Sequence, residues 1–291
     1  MFGRRFNWVS RRNMSRSNNK SIIIEKLGPI TTIGINRPSK RNCIDTPTGR
    51  LLDEALCTFE EDTDSSVAVL YGTGGNFCSG FDLNELAEAK HQLPPMMFPS
   101  RAFVRKPTVA ALSGYTVAGG LELALMCDLR VMEDTAVIGL YGRRFGVPLT
   151  GGATVRLPAL IGLSRALDLI LTGRSLAAKE ALDWGLVNRV VACGTGLGQA
   201  LQLATCLAKF PRECLGVDRR STYDAAFNGA FEDALKYERE NAENVPPGEV
   251  VKGAKAFLGG IGRHGKSYNL TEKQRTEWER EFESENAKSK L

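Results

Sequence analysis

A repeated pattern of strand, loop and helix constrains the fold of this chain more than any other feature. Continuous apolar runs at VAVLYG (67–72) and TVAALSG (108–114) predict strands buried on both faces, and DLRVMED (128–134) predicts a third strand. The first two runs lead into loops of small residues and then into helical patterns. Because strands joined through helices lie parallel with right-handed crossovers, we expect an α/β fold built on a parallel sheet.

Other patterns before and after this repeat predict the rest of the organisation. SIIIEKL and ITTIGIN, which flank a Gly-Pro turn, predict a hairpin, and the apolar spacing of TPTGRLLDEALCTFEED predicts a helix. The patterns beyond Gly151 are mostly helical. We therefore divide the chain into a core at 21–197, a helical C-terminal region at 198–266 and a charged tail at 267–291.

Residues 1–20 differ in composition from everything that follows. Six of the chain's 38 basic residues lie here with no acidic one, so the remainder has 32 basic against 33 acidic side chains and is nearly neutral. This composition predicts a mitochondrial transit peptide, with a disordered basic tail or an RNA-binding arm as the alternatives. We therefore expect a protein of the mitochondrial matrix, or otherwise of the cytoplasm.

The cysteine, histidine and apolar content argues against several classes of function. The seven cysteines are scattered without a CxxC pair, which favours a reducing compartment over a disulfide framework. The two histidines, His91 and His264, are far apart, so we expect no metal site and no Ser-His or Cys-His catalysis. No apolar run reaches the ~18 residues of a membrane span.

GIGRHGKS (260–267) matches the letters of a P-loop, but no buried strand precedes it and little chain follows.

The two loops that follow the apolar strands carry the pattern that points to chemistry. In NFCSGFDL and GYTVAGGLEL, a buried strand ends in small residues that open a helix. N–H groups at such helix starts have no acceptor inside the helix, so neighbouring loops can direct a pair of them at one carbonyl oxygen. Glu122 lies one turn after Gly119 on the same face and could move a proton there. The loops therefore predict an oxyanion hole with an adjacent acid/base.

Structural explanations exist for both carboxylates of these loops. Glu122 lies in the first turn of a predicted helix, where the macrodipole favours a negative charge without any catalysis. Asp82 stands where a helix N-cap is expected, and capping alone would account for it. The residues by themselves leave both alternatives open.

Five segments of the chain occur in the order found in one known family. They are INRPSKRNCI, GNFCSGFDL, KPTVAALSGYTVAGGLELALMCDLRV, GGATVRLPALIG and EALDWGLVNRVV. Over residues 22–265 the chain resembles the crotonase, or enoyl-CoA hydratase/isomerase, superfamily. The resemblance implies a spiral of ββα units with a helical C-terminal trimerisation region, a homotrimer or hexamer, and an acyl-CoA thioester substrate. Coenzyme A would be part of that substrate, so no separate cofactor is expected.

The resemblance also assigns roles to individual positions. It implies that Ser79 and Gly119 present the oxyanion N–H groups to the thioester carbonyl, and that Glu122 is a catalytic glutamate. The other positions expected to contact substrate or CoA are Arg41, Cys43, Ile44, Gly80, Phe81, Asp82, Leu83, Tyr115 and Gly142.

One position departs from the family pattern. Hydratases of the family carry a second glutamate further along the chain, and Gly142 stands there in IGLYGRRFGVPLTGG. With a single acid/base, a slower hydration is conceivable, but double-bond isomerisation or decarboxylation fits more easily. Arg143 and Arg144 flank the position. Either could clamp a substrate carboxylate if its side chain turned inward, but the favoured alternative is that both face solvent or pair at a subunit contact.

Two classes of function follow from these observations. The leading interpretation is an enzyme of the enoyl-CoA hydratase/isomerase type that stabilises a thioester enolate. The alternative is a crotonase-fold scaffold or RNA-binding protein with impaired activity, which the missing glutamate would suit. A nearly neutral body without a stripe of basic and aromatic residues argues against nucleic acid.

Overall fold

The computed structural model describes residues 21–88, 104–210, 212–227 and 247–261, together with the single residues 232, 233, 236 and 243. The predictions for the basic N-terminal segment and for the charged tail lie outside these residues, as does most of GIGRHGKS.

The strands and helices of the described part follow the predicted order. The strands are β1 (Ile22–Leu27), β2 (Ile30–Ile35), β3 (Val67–Gly72), β4 (Thr108–Leu112), β5 (Tyr115–Val117), β6 (Leu129–Glu133), β7 (Val137–Gly139), β8 (Ser175–Ala177) and β9 (Arg189–Val191). The helices are α1 (Thr46–Glu61), α2 (Leu83–Glu88), α3 (Gly119–Met126), α4 (Ala153–Ile161), α5 (Leu163–Thr172), α6 (Ala178–Asp183), α7 (Gly196–Leu207), α8 (Arg212–Phe227) and α9 (Pro247–Leu258), with 3-10 helices at Pro38–Lys40 and Tyr141–Phe145. Within the described residues, no helix combines the length and the apolar character that a membrane crossing requires.

A parallel sheet forms the centre of the molecule, as predicted. Its strand order is β1-β2-β3-β4-β6-β9. The strands from β2 to β9 in this order are parallel, and β1 pairs antiparallel with β2 as the predicted hairpin. A second sheet, in the order β5-β7-β8, consists of strands of three residues each.

Helices cover both faces of the main sheet, which explains the continuous apolar runs. Alternate residues of β3 point to opposite faces. Ala68 and Leu70 belong to the larger apolar cluster with α1 and α3, whereas Val67 and Val69 pack under α7. The sequence places α7 in the C-terminal helical region, but the helix packs against the sheet of the core.

The order of the parallel strands places three loops at one edge of the sheet. β2, β3 and β4 are parallel neighbours, so their carboxyl ends lie side by side, where α/β sheets bind ligands. The chain leaves β2 into a loop at 36–45, leaves β3 into a loop at 73–82, and leaves β4 through β5 into α3. These three segments build the site described next.

Candidate active site

A cavity of about 440 Å³ opens where these loops meet. Its volume is in the range of small-molecule sites, about 300–1,000 Å³. The loops after β2 and β3, the turn before α3, the second 3-10 helix and the end of α9 all contribute to its wall. The described residues that line it are Ser39, Lys40, Arg41, Cys43, Ser79, Phe81, Asp82, Leu83, Asn84, Tyr115, Val117, Ala118, Tyr141, Gly142, Phe145, Val147, Phe257 and Leu258.

Close backbone packing joins the loop after β3 to the start of α3. Cys78 N–H donates to Tyr115 O of β5 at 3.1 Å, and Cys78 O accepts the N–H of Val117, in the same strand, at 3.0 Å. A Cβ atom on Gly120 would lie 2.1 Å from that Cys78 oxygen, so no side chain fits there. At Gly80, with φ +95°, a Cβ atom would lie 3.0 Å from the backbone nitrogen of Gly119. The two loops therefore meet as predicted, and their contact requires glycine.

Ala118 has a strained backbone at the start of α3. Its φ of 49° and ψ of −125° are rare for a residue with a Cβ atom, and its N–H donates to Gly139 O at 2.7 Å. Such conformations persist where the surroundings enforce them and are frequent at functional sites. The next residue, Gly119, begins α3, and none of the described residues accepts its N–H group. That N–H group is therefore available as a donor beside the cavity-lining Ala118.

The second predicted donor, Ser79 N–H, has another partner. It donates to Arg41 O at 3.1 Å, so the structure contradicts its assignment to the oxyanion hole. Two residues further, Phe81 forms a parallel bridge with Ile44, which accepts the N–H of Asp82 at 2.8 Å. Because N–H groups alternate in direction along a bridged strand, that of Phe81 points away from Ile44.

Asn42 shapes the loop after β2, and the sequence patterns did not single it out as functional. Asn42 and Arg41 both have positive φ angles, 56° and 50°. The buried Asn42 side chain donates to Thr73 O at 2.8 Å and to Asn76 O at 2.6 Å, and it accepts Arg37 N–H at 2.8 Å. These bonds tie the loop after β2 to the loop after β3. Asparagine tolerates the left-handed conformation better than most residues, and that tolerance is the one local signal for its position.

A cluster of opposite charges connects the same two loops. Arg37 Nη2 lies 2.7 Å from Asp45 Oδ2 and 3.0 Å from Asp82 Oδ2, and Lys40 Nζ lies 3.0 Å from the same Asp82 oxygen. Burial opposes ionisation of Asp82, but hydrogen bonds from its neighbours outweigh burial and lower the pKa of this carboxyl to about 2. Asp82 is therefore ionised at neutral pH and neutralises the cations around it.

Asp82 also caps α2, as the structural alternative expected. Its Oδ1 accepts the Asn84 N–H at 3.2 Å, in the geometry of an N-cap. The capping explanation is confirmed, and the ion pairs to the loop after β2 add a role that the local sequence does not reveal.

The remaining residues expected to contact a ligand divide into two groups. Cys43, Leu83, Tyr115 and Arg41 line the cavity, with the Arg41 guanidinium 5.0 Å from the centre of the Tyr115 ring. Burial raises the pKa of the Cys43 thiol to about 12, so the thiol is neutral at physiological pH. Ile44 is instead fully buried in the core and is not among the described residues that line the cavity.

Glu122 lies one turn beyond Gly119 in a helix whose residues are all buried. Its Oε1 accepts the Gly151 N–H at 2.8 Å and the Ala153 N–H at 3.4 Å. Because Ala153 is the first residue of α4, the carboxylate caps α4 while lying in the first turn of α3. Glu122 is not among the described residues that line the cavity. The charge is thus held by backbone donors at the N-terminus of α4.

Gly142 lines the cavity at the position where the family pattern has its second glutamate. A Cβ atom there would lie 3.0 Å from Val147 O, so even a small side chain would press on the backbone. Tyr141 lines the cavity beside it, and its hydroxyl is 2.6 Å from Ser175 Oγ.

Neither arginine after Gly142 lines the cavity. Arg143 is exposed. Arg144 donates to Gly173 O at 2.6 and 3.0 Å, and its guanidinium lies 4.1 Å from the centre of the Tyr141 ring. Gly173 ends α5, so Arg144 satisfies a carbonyl at a helix C-terminus. The structure therefore contradicts the hypothesis of an arginine clamp.

An apolar wall closes the cavity on the side of α9. Phe145 and Phe257 meet edge to face with ring centres 5.0 Å apart, and Val147 and Leu258 line the cavity beside them. The C-terminal helical region thus contributes directly to the site.

Comparison with known proteins gives consistent matches. A profile of the enoyl-CoA hydratase/isomerase family matches residues 25–261. A probable enoyl-CoA hydratase of Mycobacterium bovis is 32% identical over 225 residues, which cover 76% of this chain and 87% of that protein. The human enoyl-CoA hydratase domain-containing protein 2, mitochondrial, is 37% identical over 246 residues, which cover 78% and 82% of the two chains. A solved structure of a carnitinyl-CoA dehydratase from Mycobacterium avium is 29% identical with a TM-score of 0.72 and covers 82% of this chain and 97% of its own.

Proposed function

The chain belongs to the enoyl-CoA hydratase/isomerase family and has the crotonase fold, and on this basis we propose that it adds water to, or removes water from, an acyl-CoA thioester. Hydratase and dehydratase, the names of its relatives, describe the two directions of one reaction. The observation that carries the proposal is the junction of two loops, where Gly80 lies against the backbone nitrogen of Gly119. This junction sets a backbone donor beside a cavity of suitable size.

In the proposed complex, the thioester carbonyl oxygen lies between the N–H groups of Gly119 and Phe81. Support comes from the position of Gly119 at the start of α3, where the helix dipole favours negative charge. Phe81 lines the cavity, and its bridge to Ile44 directs its N–H group to the other side. An enolate carries its charge on the carbonyl oxygen, so these donors would stabilise it more than the ground state.

Glu122 is the proposed acid/base. In hydration, a water oxygen bonds to C3 while its proton passes to the carboxylate, and the electrons of the double bond move onto the thioester oxygen. The protonated carboxyl then returns the proton to C2, which restores the carbonyl group. One water supplies both the hydroxyl group and the proton, so a single carboxylate balances the reaction. The support for this role is the fixed position of Glu122, one turn from Gly119 and bonded to Gly151.

The polarity of the cavity wall supports one orientation of the ligand. Arg41 lines the side formed by the loop after β2, and a cation there would favour the phosphates of CoA. Phe145, Val147 and Phe257 form an apolar side that suits an acyl chain. Coenzyme A enters and leaves as part of the ligand, so the proposed reaction uses no further cofactor.

A shift of the double bond is the second candidate reaction, and it is compatible with the absence of a glutamate at Gly142. Glu122 would remove a proton from C2 of a 3-enoyl thioester and return it to C4, which needs only one carboxylate. Decarboxylation of a dicarboxylic thioester has no arginine clamp to support it, because Arg144 donates to Gly173 O and Arg143 is exposed.

The test is to incubate the purified chain with 2-enoyl-, 3-enoyl-, 3-hydroxyacyl- and malonyl-type CoA thioesters and to follow the products by mass spectrometry. The proposal predicts that 2-enoyl substrates gain one water and 3-hydroxyacyl substrates lose one. A 3-enoyl substrate that keeps its mass but gains the absorption of a conjugated thioester would indicate isomerisation. Binding without any conversion would contradict both reactions and support the scaffold alternative.

We also propose that the chain forms a homotrimer or a hexamer. The resemblance to the family supports this assembly, and so does the apolar spacing of AAFNGAFEDALKYE in the C-terminal region. Light scattering at micromolar concentration should give three or six times the mass of the chain, and a monomeric mass would contradict the proposal.

Mitochondrial localisation is proposed on two grounds. Residues 1–20 are basic and free of acids, and the human relative is named as mitochondrial. N-terminal sequencing of the protein from its source should find a start near residue 21, whereas an intact Met1 would count against a cleaved transit peptide.

A further inference from the structure

Arg156 connects the interior of α4 to the turn that holds Glu122. The residue is buried, with 6% exposure, and its Nη1 donates to Gly151 O at 2.9 Å. The N–H group of the same Gly151 donates to Glu122 Oε1 at 2.8 Å. A continuous path therefore runs from the guanidinium through one peptide residue to the carboxylate.

We propose that Arg156 is a positioning residue for the acid/base, and this inference rests on the proposed role of Glu122. Arg156 acts through Gly151 and does not touch the substrate. By fixing the carbonyl of Gly151, it fixes the residue whose N–H group holds the carboxylate oxygen.

The turn needs such a restraint because it consists of two glycines. Gly151 and Gly152 precede α4, and Gly152 has a φ of 93°. Because glycine populates positive and negative φ angles about equally, the residue itself does not hold the turn in this conformation. A charge-assisted hydrogen bond from a buried guanidinium is about twice as strong as a neutral one. Without it, the turn can relax, and a displacement of about 1 Å at a catalytic group can lower a rate by about 10²-fold.

Arg130 offers a matched control at the opposite end of α3. It is similarly buried, with 3% exposure, and it donates to Cys127 O at 2.6 Å, to Leu186 O at 2.8 Å and to Ala124 O at 3.5 Å. Arg130 therefore has the same side chain, a similar burial and carbonyl acceptors, but its bonds do not lead to Glu122.

The pH dependence of kcat separates positioning from a structural role. The titratable groups on the segments packed against α3 are Arg156 on α4, Tyr115 on β5 and Cys78 beneath Gly120, with Arg130 at the far end. Burial raises the pKa of Cys78 to about 12. On the proposed role of Glu122, the acid limb of kcat reports the ionisation of its carboxyl group.

The experiment compares Arg156→Met, Arg156→Lys and Arg130→Lys with the unmodified chain, using hydration of a 2-enoyl-CoA. Arg156→Met should lower kcat by about 10²-fold, move the acid limb to higher pH and change KM by less than about threefold. Arg156→Lys should show a smaller fall in kcat and a smaller shift of the acid limb than Arg156→Met. If the Met variant does not fold, the Lys variant is compared with the unmodified chain in its place. Arg130→Lys should lower the melting temperature and leave the acid limb in place.

Two results would overturn the inference in distinguishable ways. If Glu122→Gln loses activity while the Arg156 variants keep kcat and the acid limb and lose only stability, Arg156 is structural and the proposed function stands. If Glu122→Gln keeps its turnover, the proposed role of Glu122 fails and the inference fails with it, while the hydration activity itself stands.

Discussion

Glu122 Oε1 accepts the Gly151 N–H at 2.8 Å, which joins the first turn of α3 to the turn before α4. The carboxylate residue is only 2% exposed, and a charge buried to that extent requires donors to replace its water. The bond satisfies this requirement and fixes the carboxylate one turn from the Gly119 N–H. Burial and a fixed position suit both a general acid/base and a helix cap, so the geometry fits either role of Glu122. Turnover measurements distinguish the two roles.

The contact between the oxyanion loops should be intolerant of a methyl group. Gly120→Ala would bring its Cβ within 2.1 Å of Cys78 O, a backbone atom that can move only with the whole loop. We expect a loss of about 2–3 kcal/mol in the free energy of unfolding, the upper range of overpacking, and a fall in kcat of about 10²-fold. Denaturant unfolding and steady-state kinetics measure the two effects.

Gly198→Ala is the matched control for this change. Gly198 lies in α7 with nothing within 4 Å of its Cβ position. Alanine there should raise stability by about 0.5–1 kcal/mol, because helical glycine loses more backbone entropy on folding, and should leave kcat unchanged. If Gly120→Ala and Gly198→Ala changed stability and kcat equally, the contact between Gly120 and Cys78 O would not be the cause of the loss.

The charge cluster at Asp82 should make stability depend on acidic pH. Its folded-state pKa of about 2 lies below the usual value for Asp, so its contribution is complete above about pH 4 and is lost as pH falls towards 2. Asp82→Asn should cost about 3 kcal/mol at pH 7, since it leaves Arg37 and Lys40 with fewer partners. The difference between the two proteins in urea unfolding should narrow below pH 4. A difference that stays constant down to pH 2.5 would contradict this account.

The arginines beside Gly142 should not make the protein select acyl-CoA substrates by the charge of their acyl group. Arg144→Met should cost about 1–2 kcal/mol of stability through the lost bonds to Gly173, and Arg143→Met should cost less because the side chain is exposed. Both should change kcat/KM equally on monocarboxylic and dicarboxylic acyl-CoA substrates. A selective loss on the dicarboxylic substrates would restore the clamp hypothesis.

Sequence patterns were sufficient where apolar periodicity determines an element. The hairpin β1–β2, the helix α1 and the buried strands β3 and β4 follow directly from hydrophobic spacing, because each buries a defined face. The strands of the second sheet have three residues each, which is too short for a period to be visible.

The details of the site depend on contacts that no local pattern contains. Asn42 bonds to residues more than 30 positions away, and Glu122 finds its donor 29 positions away. The direction of each N–H group in the loop after β3 is set by bridges to Ile44 and to β5. That is why the resemblance alone assigns the oxyanion donor to Ser79, whereas the direction of the N–H groups supports the proposed donor at Phe81.

The most direct test of the central claim is the kcat of Glu122→Gln for hydration of a 2-enoyl-CoA, measured beside the unmodified chain. Glutamine keeps a side-chain oxygen that can accept the Gly151 N–H, so the fold and the affinity for the CoA thioester should persist. We expect kcat to fall by about 10²–10⁴-fold with KM little changed, the usual contribution of a general acid/base. An unchanged kcat together with a lower melting temperature would contradict it and leave Glu122 as a cap for α4.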